Sequence, residues 1–166
     1  MEKVIGKVGD LEVFGGKPPD LFTSWDCLED AASQFFNDLD RVAAIEDWFR
    51  FCRDKIIDAC VARNSRGKIC CVSYVTAQTP RSLTFHAFSG PAYRKPTISL
   101  PAATLTIAYF FRRHGLIRLD TAGRWKNRTA RMTALKLGFQ HEGRLRNFLP
   151  HHGVWEDYYL ASIVRP

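Results

Sequence analysis

The residues of this chain best suited to chemistry lie in its second half. Pro91-Ala92-Tyr93-Arg94-Lys95-Pro96-Thr97-Ile98-Ser99 follows an apolar run, Ser82–Phe88, and precedes a long apolar stretch, Leu100–His114. A strand-to-helix junction of this kind attracts anions, because free N–H groups and the positive end of the helix converge there. Arg94 and Lys95 add positive charge, Ser99 can cap the helix, and Pro101 suits a first turn where a missing N–H is harmless. The chemistry is that of a phosphate-bearing ligand. His86, in the strand before the loop, can pass a proton near neutral pH, since its ordinary pKa is about 6.5. A purely structural histidine would look the same.

Further along, Asn127 is a helix N-cap with Thr129 in the first turn after it, and Ala130, Ala134 and Leu137 recur at helical spacing. Met132 and Leu135 supply a second apolar side. Gly138 stands where a helix ends in the left-handed conformation, so that Phe139 folds back on the last turn. Tyr158 and Tyr159 alternate across the last apolar run, so only one of them is expected to face a cleft. Glu156 and Asp157 are the nearest carboxylates, and either can simply serve a hairpin. His151-His152 falls at a hairpin tip and is expected in water.

These residues need a frame. Met1–Phe14 alternates loosely, with Val4, Ile5, Val8, Leu11 and Val13 around Gly9-Asp10, and reads as one or two short strands with a turn. Asp26 and Glu29 form a capping box for a helix through Phe36, and a second helix is expected over Asp40–Cys52. Ile56–Arg63 and Lys68–Ala77 are β-branched runs around Asn64-Ser65-Arg66-Gly67, an antiparallel hairpin. Leu100–His114 is apolar nearly all round and should be buried. Leu116–Thr121 is a short strand, joined to Ser82–Phe88 through that helix, so the two can lie parallel. Arg144–Leu149 and Val154–Val164 close the chain as a hairpin.

At 166 residues one domain spanning 1–166 is expected, with 46% hydrophobic and 25% charged residues marking an ordinary soluble globule. No apolar run spans a membrane and the charged N-terminus lacks a signal-peptide core, so no membrane partner is expected. The five cysteines, Cys27, Cys52, Cys60, Cys70 and Cys71, lack metal-ligand spacing and fit reduced, buried thiols of a cytoplasmic protein, with no metal. Residues 1–80 hold ten Lys and Arg against thirteen Asp and Glu, whereas residues 81–166 hold fourteen against four. A basic half points to a polyanionic partner, either a phosphorylated cofactor or nucleic acid.

Asn127, Leu135-Lys136-Leu137-Gly138-Phe139, Glu142-Gly143-Arg144-Leu145 and Gly153-Val154-Trp155-Glu156-Asp157 together resemble the C-terminal segment of the GNAT N-acetyltransferase superfamily. Its ribosomal-protein and amino-acid acetylating branches are nearest, and the likeness runs from about Pro91 to the C-terminus. The family carries a Pro-x-Tyr-Arg-Gly-x-Gly-Ile-Gly loop around the pyrophosphate of acetyl-CoA. Pro91, Tyr93, Arg94 and Ile98 match it, while Lys95, Thr97 and Ser99 stand where glycines are expected. The resemblance implies an α/β (α+β) acyl-CoA N-acyltransferase fold: a mixed, mostly antiparallel sheet splayed in the middle, with helices on both faces. The first two helices would flank the acceptor cleft.

The implied function is transfer of acetyl from acetyl-CoA, as co-substrate and without metal, to a primary amine of a protein or small molecule. A backbone N–H of Thr84–Phe88 would polarise the thioester carbonyl, with Ala87 and Phe88 along the pantetheine arm. Tyr93, Arg94, Lys95, Thr97, Ile98, Ser99 and Asn127 would hold the cofactor. His86 is the candidate proton relay, and Thr129 and Tyr159 are the candidate hydroxyls, because the family's acid positions hold Ala134 and Ala130. The alternative is a GNAT-like domain that has lost catalysis and serves in binding or structure, for example in a phage. Nucleic acid ranks last as a partner, since no aromatic stacking pattern accompanies the basic half. Monomer and homodimer are both compatible with the sequence.

Overall fold

The computed structural model describes residues 3–16, 21–28, 45–79 and 82–165. The first strands, β1 (Lys3–Val8) and β2 (Leu11–Gly15), form a hairpin that turns at Gly9, whose φ of 59° is available to glycine without strain. A short 3-10 turn, Leu21–Ser24, leads into α1 (Trp25–Leu28), and α2 covers Ile45–Asp54. The remainder of the two helices expected over 26–36 and 40–52 falls outside the described residues. Next come β3 (Ile56–Arg63), β4 (Ile69–Thr79) and β5 (Ser82–Ser89). The β3–β4 turn is closed by Asn64, whose Oδ1 accepts the N–H groups of Arg66 and Lys68, both at 3.0 Å. A long helix, α3 (Pro96–His114), crosses back to β6 (Arg118–Arg124), followed by α4 (Arg128–Lys136), β7 (Gln140–His151) and β8 (Val154–Val164).

The strands form one sheet in the order β1-β2-β3-β4-β5-β6-β8-β7. Every neighbouring pair is antiparallel except β5–β6, which are parallel and joined by the α3 crossover. Strand alternation sends Ala59, Val61, Val72 and Tyr74 to one face, where Trp25, Trp48 and Cys52 of α1 and α2 cover them. Cys60, Val75, Leu83 and Phe85 point to the other face, against Ile107, Phe110 and Phe111 of α3 and Ala134 of α4. Each such ring or branched side chain taken out of water is worth about 1.5–3 kcal/mol. Helices therefore clothe both faces, and the five cysteines all lie buried as free thiols.

Three expectations need correction. Helix α3 begins at Pro96, one turn before Leu100. Lys95 caps it with extended dihedrals (φ −64°, ψ 133°), the conformation a following proline favours. Pro96 is thus the first-turn proline, Ser99 is not a cap but donates its hydroxyl to the Lys95 carbonyl at 3.2 Å, and Pro101 sits exposed inside the helix. Nor is α3 buried all round, for Thr104, Arg112 and Arg113 face solvent. In α4, Asn127 caps as expected, with Oδ1 accepting from the Ala130 N–H at 3.0 Å, and Gly138 takes the left-handed conformation at φ 93°. Its second apolar side, Met132 and Leu135, is exposed rather than packed. Among the described residues no helix is long and apolar enough to cross a membrane.

Candidate active site

The site is made by a fork in the sheet. β5 and β6 pair only through Ser82↔Arg118, Leu83↔Leu119 and Thr84↔Asp120; beyond these the pairing stops. At the fork the Thr121 hydroxyl donates to the Phe85 carbonyl at 3.1 Å. A residue's N–H and C=O point to the same side of a strand, and the direction repeats every second residue. Since the Phe85 carbonyl faces β6, the N–H and C=O of Ala87 face the same way, into the opening. On its other edge β5 stays paired with β4 as far as Cys71↔Ser89.

Two cavities meet at this opening, one on each face of the sheet. On the α3–α4 side lies a cavity of about 460 Å³, bordered by Phe85, Ala87, Phe88 and Ser89 of β5, Arg94 and Ser99 of the loop and helix start, and Asn127, Thr129 and Thr133 of α4. The basic and hydroxyl groups stand at its outer part, with Ala103, Ala134 and Phe139 deeper in. Of the expected cofactor residues, Ala87, Phe88, Arg94, Ser99 and Asn127 border this cavity. Tyr93, Lys95, Thr97 and Ile98 do not. Ile98 and Tyr93 pack against the cluster under β1 and β2, and the Tyr93 hydroxyl accepts from Asn64 Nδ2 at 3.4 Å. Lys95 and Thr97 are exposed.

The loop closes on itself. Pro91–Tyr93 form a 3-10 turn in which the Tyr93 N–H donates to the Gly90 carbonyl at 2.8 Å, and the N–H groups of Ile98 and Ser99 both donate to the Lys95 carbonyl at 2.9 Å. With these N–H groups engaged, the side chains of Arg94 and Ser99 are the loop's groups that border the cavity. Arg94 is held over the strand end by donating Nε to the Ser89 carbonyl at 3.1 Å.

On the α2 side a second cavity, about 400 Å³, is walled by Phe51, Tyr74, His86, Leu145, Phe148 and Tyr158. His86 stacks on Tyr74 with centroids 4.8 Å apart, and its Nε2 lies 3.2 Å from Thr76 Oγ1. Burial pushes its pKa down to about 4, so the imidazole is neutral at physiological pH and a weak base. Phe85, Ala87, Thr121, Asn127, Ala130 and Tyr159 border both cavities and mark the passage between them.

Tyr158 and Tyr159 both border the α2-side cavity, against the expectation that only one would reach the cleft. The opening perforates the sheet, so residues on either face can line it. Burial raises the Tyr159 phenol to about 12, and Thr121 is its hydrogen-bonding neighbour. The phenol thus stays protonated, linked through Thr121 to the Phe85 carbonyl. Its ring lies so close to β6 that a Cβ on Gly123 would stand 2.9 Å from Cε1, which makes glycine a packing requirement there. Thr129, the other candidate hydroxyl, is exposed at the rim of the α3–α4-side cavity.

Charge beside the fork is held in a compact network. Arg124 grips Glu156 with Nε–Oε2 at 2.7 Å and Nη2–Oε1 at 3.1 Å, and Lys126 adds a contact at 3.3 Å. These donors hold the Glu156 carboxyl down at about 2. His151 is buried, its Nε2 lying 3.3 Å from Arg124 Nη1, and only His152 turns outward. The expected solvated pair is corrected accordingly: β7 runs on to His151 and tucks that ring under the hairpin. Asp157 accepts from Arg144 Nε at 2.6 Å and the Asn147 N–H at 2.9 Å, so it secures the hairpin. Sequence reasoning missed Thr121, Gly123, Tyr74 and Phe148, because nothing in their local pattern distinguishes them from other strand residues.

No protein-family model matches the chain, and no curated protein matches it in sequence. Solved structures do match in shape. A GNAT-family acetyltransferase from Bacillus anthracis superposes with a TM-score of 0.76 at 17% identity, covering 99% of this chain and 98% of its own. The ribosomal-protein-S5-alanine acetyltransferase from Vibrio fischeri gives 0.77 at 16% identity, over 100% of both chains. Mycobacterium smegmatis RimJ in complex with CoA-disulfide gives 0.71 at 17% identity, over 98% of this chain and 85% of that one. The forked sheet with a cavity on either face is, from end to end, the fold of the GNAT acetyltransferases.

Proposed function

We propose that the protein is an acetyl-CoA-dependent N-acetyltransferase that moves an acetyl group onto a primary amine of a protein or small molecule. The observation that carries this reading is the meeting of two cavities at the β5–β6 fork, with the Ala87 peptide facing the opening. The α3–α4-side cavity fits a CoA thioester: cationic and hydroxyl groups outside, apolar walls inside, and an unpaired strand edge to run along. Arg94, Ser99, Asn127 and Thr129 would hold phosphates, and the Ala87 N–H would polarise the thioester carbonyl. An amine entering from the α2 side would meet that carbonyl at the fork. The new C–N bond forms as the C–S bond breaks, the amine gives up a proton, and the thiolate takes one. Tyr159, protonated and bordering both cavities, is the buried phenol that would serve that exchange, while Thr129 stands exposed at the rim. Much of the rate gain would come from holding the partners together.

The structural neighbours support the same chemistry, since one is named for acetylating a ribosomal protein and another is named in complex with a CoA disulfide. Calorimetry with acetyl-CoA, followed by thiol release in the presence of amines, tests the reading. Micromolar binding and amine-dependent release of CoA are expected. A specific observation favours the second reading, a binding domain without catalysis: the N–H groups of Tyr93, Arg94, Ile98 and Ser99 are spent on nearby carbonyls and two acid positions hold alanine. Absence of any heat or thermal shift at millimolar CoA would decide for that one.

A further inference from the structure

We propose that the α2-side cavity admits a primary monoamine carried on an aromatic or bulky apolar group, and disfavours polyamines. The inference deepens the acetyltransferase reading and rests on it. The walls supply the first argument. Phe51 and Tyr74 meet at 6.0 Å on one side, and Phe148 and Tyr158 at 5.8 Å on the other, with Leu145 and Leu149 beside them. Such faces pair with a ring at offset or edge geometry and gain little from a hydrated, charged chain. Phe148 is 45% exposed although it borders the cavity, so an apolar group at the mouth would cover it.

Carboxylates supply the second argument. A polyamine keeps at least one ammonium charged while another reacts, and that charge needs an anionic partner. Among the described residues, Asp120 is the carboxylate bordering this cavity, and it is tied off: Oδ2 accepts from Ser82 Oγ at 2.5 Å and Oδ1 from Arg118 Nε at 2.7 Å. Glu156, close by, is held by Arg124 and Lys126. Arg124, which borders the cavity, and Lys126 together exceed Glu156 by one positive charge, and that surplus further disfavours a second ammonium.

Proton balance supplies the third. The attacking amine must lose its proton, and the neutral, stacked His86 is poorly suited to remove it. An apolar, aromatic enclosure performs part of that task by itself, because withdrawal from water disfavours the charged ammonium. A monoamine on an apolar carrier can become neutral on entry, with its proton left to solvent. A polycation cannot.

The test uses 2-phenylethylamine and spermidine as probes, with binding to the CoA-loaded protein followed by calorimetry and transfer by thiol release. Phenylethylamine is expected to bind and to show kcat/KM at least about tenfold above spermidine. Phe148→Ala should raise KM for phenylethylamine about tenfold, with kcat and the spermidine values little changed, since one aromatic contact is worth about that factor. Phenylethylamine binding without transfer would uphold this inference and overturn the acetyltransferase reading. Spermidine equal or superior in binding or transfer, no binding of phenylethylamine, or a Phe148→Ala effect equal for both amines would each overturn the inference.

Discussion

The Thr121 hydroxyl donates to the Phe85 carbonyl at 3.1 Å, at the first residue of β6 beyond the parallel pairing. One side-chain hydrogen bond thus stands where a backbone pair would otherwise continue. It satisfies a buried carbonyl while letting the strands part, and it links that carbonyl to the Tyr159 phenol. The two cavities share both residues.

Replacing Thr121 by valine keeps the shape and removes the hydroxyl, leaving the Phe85 carbonyl without this donor and Tyr159 without this neighbour. The expected loss is about 1–3 kcal/mol of stability, the range for a stranded buried polar group. Thr121→Ser should restore most of it. Urea unfolding of the three proteins measures this; equal midpoints would mean that the fork does not depend on the bond.

His86 sets a pH dependence whose sign can be worked out. Its folded pKa of about 4 lies below the ordinary 6.5, so the unfolded chain binds the proton more readily. Its contribution is most favourable above about pH 6.5 and declines as the pH falls from there toward 4. His86→Gln should flatten the stability profile across that interval. In turnover, wild type and His86→Gln should rise with pH in parallel, because the neutral imidazole has no proton to lose near 6.5. An acid limb near 6.5 that vanishes in the variant would instead make His86 the proton relay.

Much of the frame could be read from the residues alone. Apolar, β-branched runs on either side of Asn64-Ser65-Arg66-Gly67 marked the β3–β4 hairpin, a third apolar run marked β5, and Asn127 with Gly138 bounded α4 almost to the residue, because caps and turns are local physics. The start of α3 was misplaced by one turn since two prolines compete for the first-turn position; only the extended Lys95 before Pro96 resolves them. His151 was misjudged because a hairpin tip normally lies in water, and its burial against Arg124 joins residues 27 apart in sequence. The fork itself has no local signature. It depends on pairing that fails to continue, and an aromatic wall drawn from Phe51, Tyr74, Phe148 and Tyr158 exists only once the four elements that carry them are in place.

Glu156 should govern stability in strong acid. Arg124, then Lys126, hold its carboxyl at about 2, below its ordinary 4.5. The pair's contribution is present in full above about pH 4.5 and is lost as pH falls through 2. Glu156→Gln should cost about 1–3 kcal/mol at pH 7, because the half-buried guanidinium loses a charged acceptor. The variant should also lose less than wild type between pH 4.5 and 2. Chemical denaturation at stepped pH reads both effects, and parallel profiles would show that the carboxylate contributes nothing to acid stability.

The last prediction concerns what the basic half is for. Arg94 borders the α3–α4-side cavity, while Arg112 and Arg113 sit exposed at the far end of α3, about 24 Å along the helix from Pro96. If the charge serves a CoA pyrophosphate, Arg94→Ala should weaken CoA by about 1–3 kcal/mol, the value of a charged hydrogen bond, and Arg112→Ala should leave it unchanged. Because Arg94 borders that cavity and Lys95 does not, Arg94 should matter more than Lys95. If the charge served nucleic acid, many phosphates would be neutralised together, and log affinity would fall steeply with log salt. Each change among Arg112, Arg113, Arg124 and Arg128 would then lower that slope by about one unit. Titration of the single variants with CoA and with a short duplex, at several salt concentrations, separates the two patterns. The first is expected, since Arg94 points at a cavity and the far arginines do not; steep, salt-sensitive duplex binding with no response to CoA would reverse that conclusion.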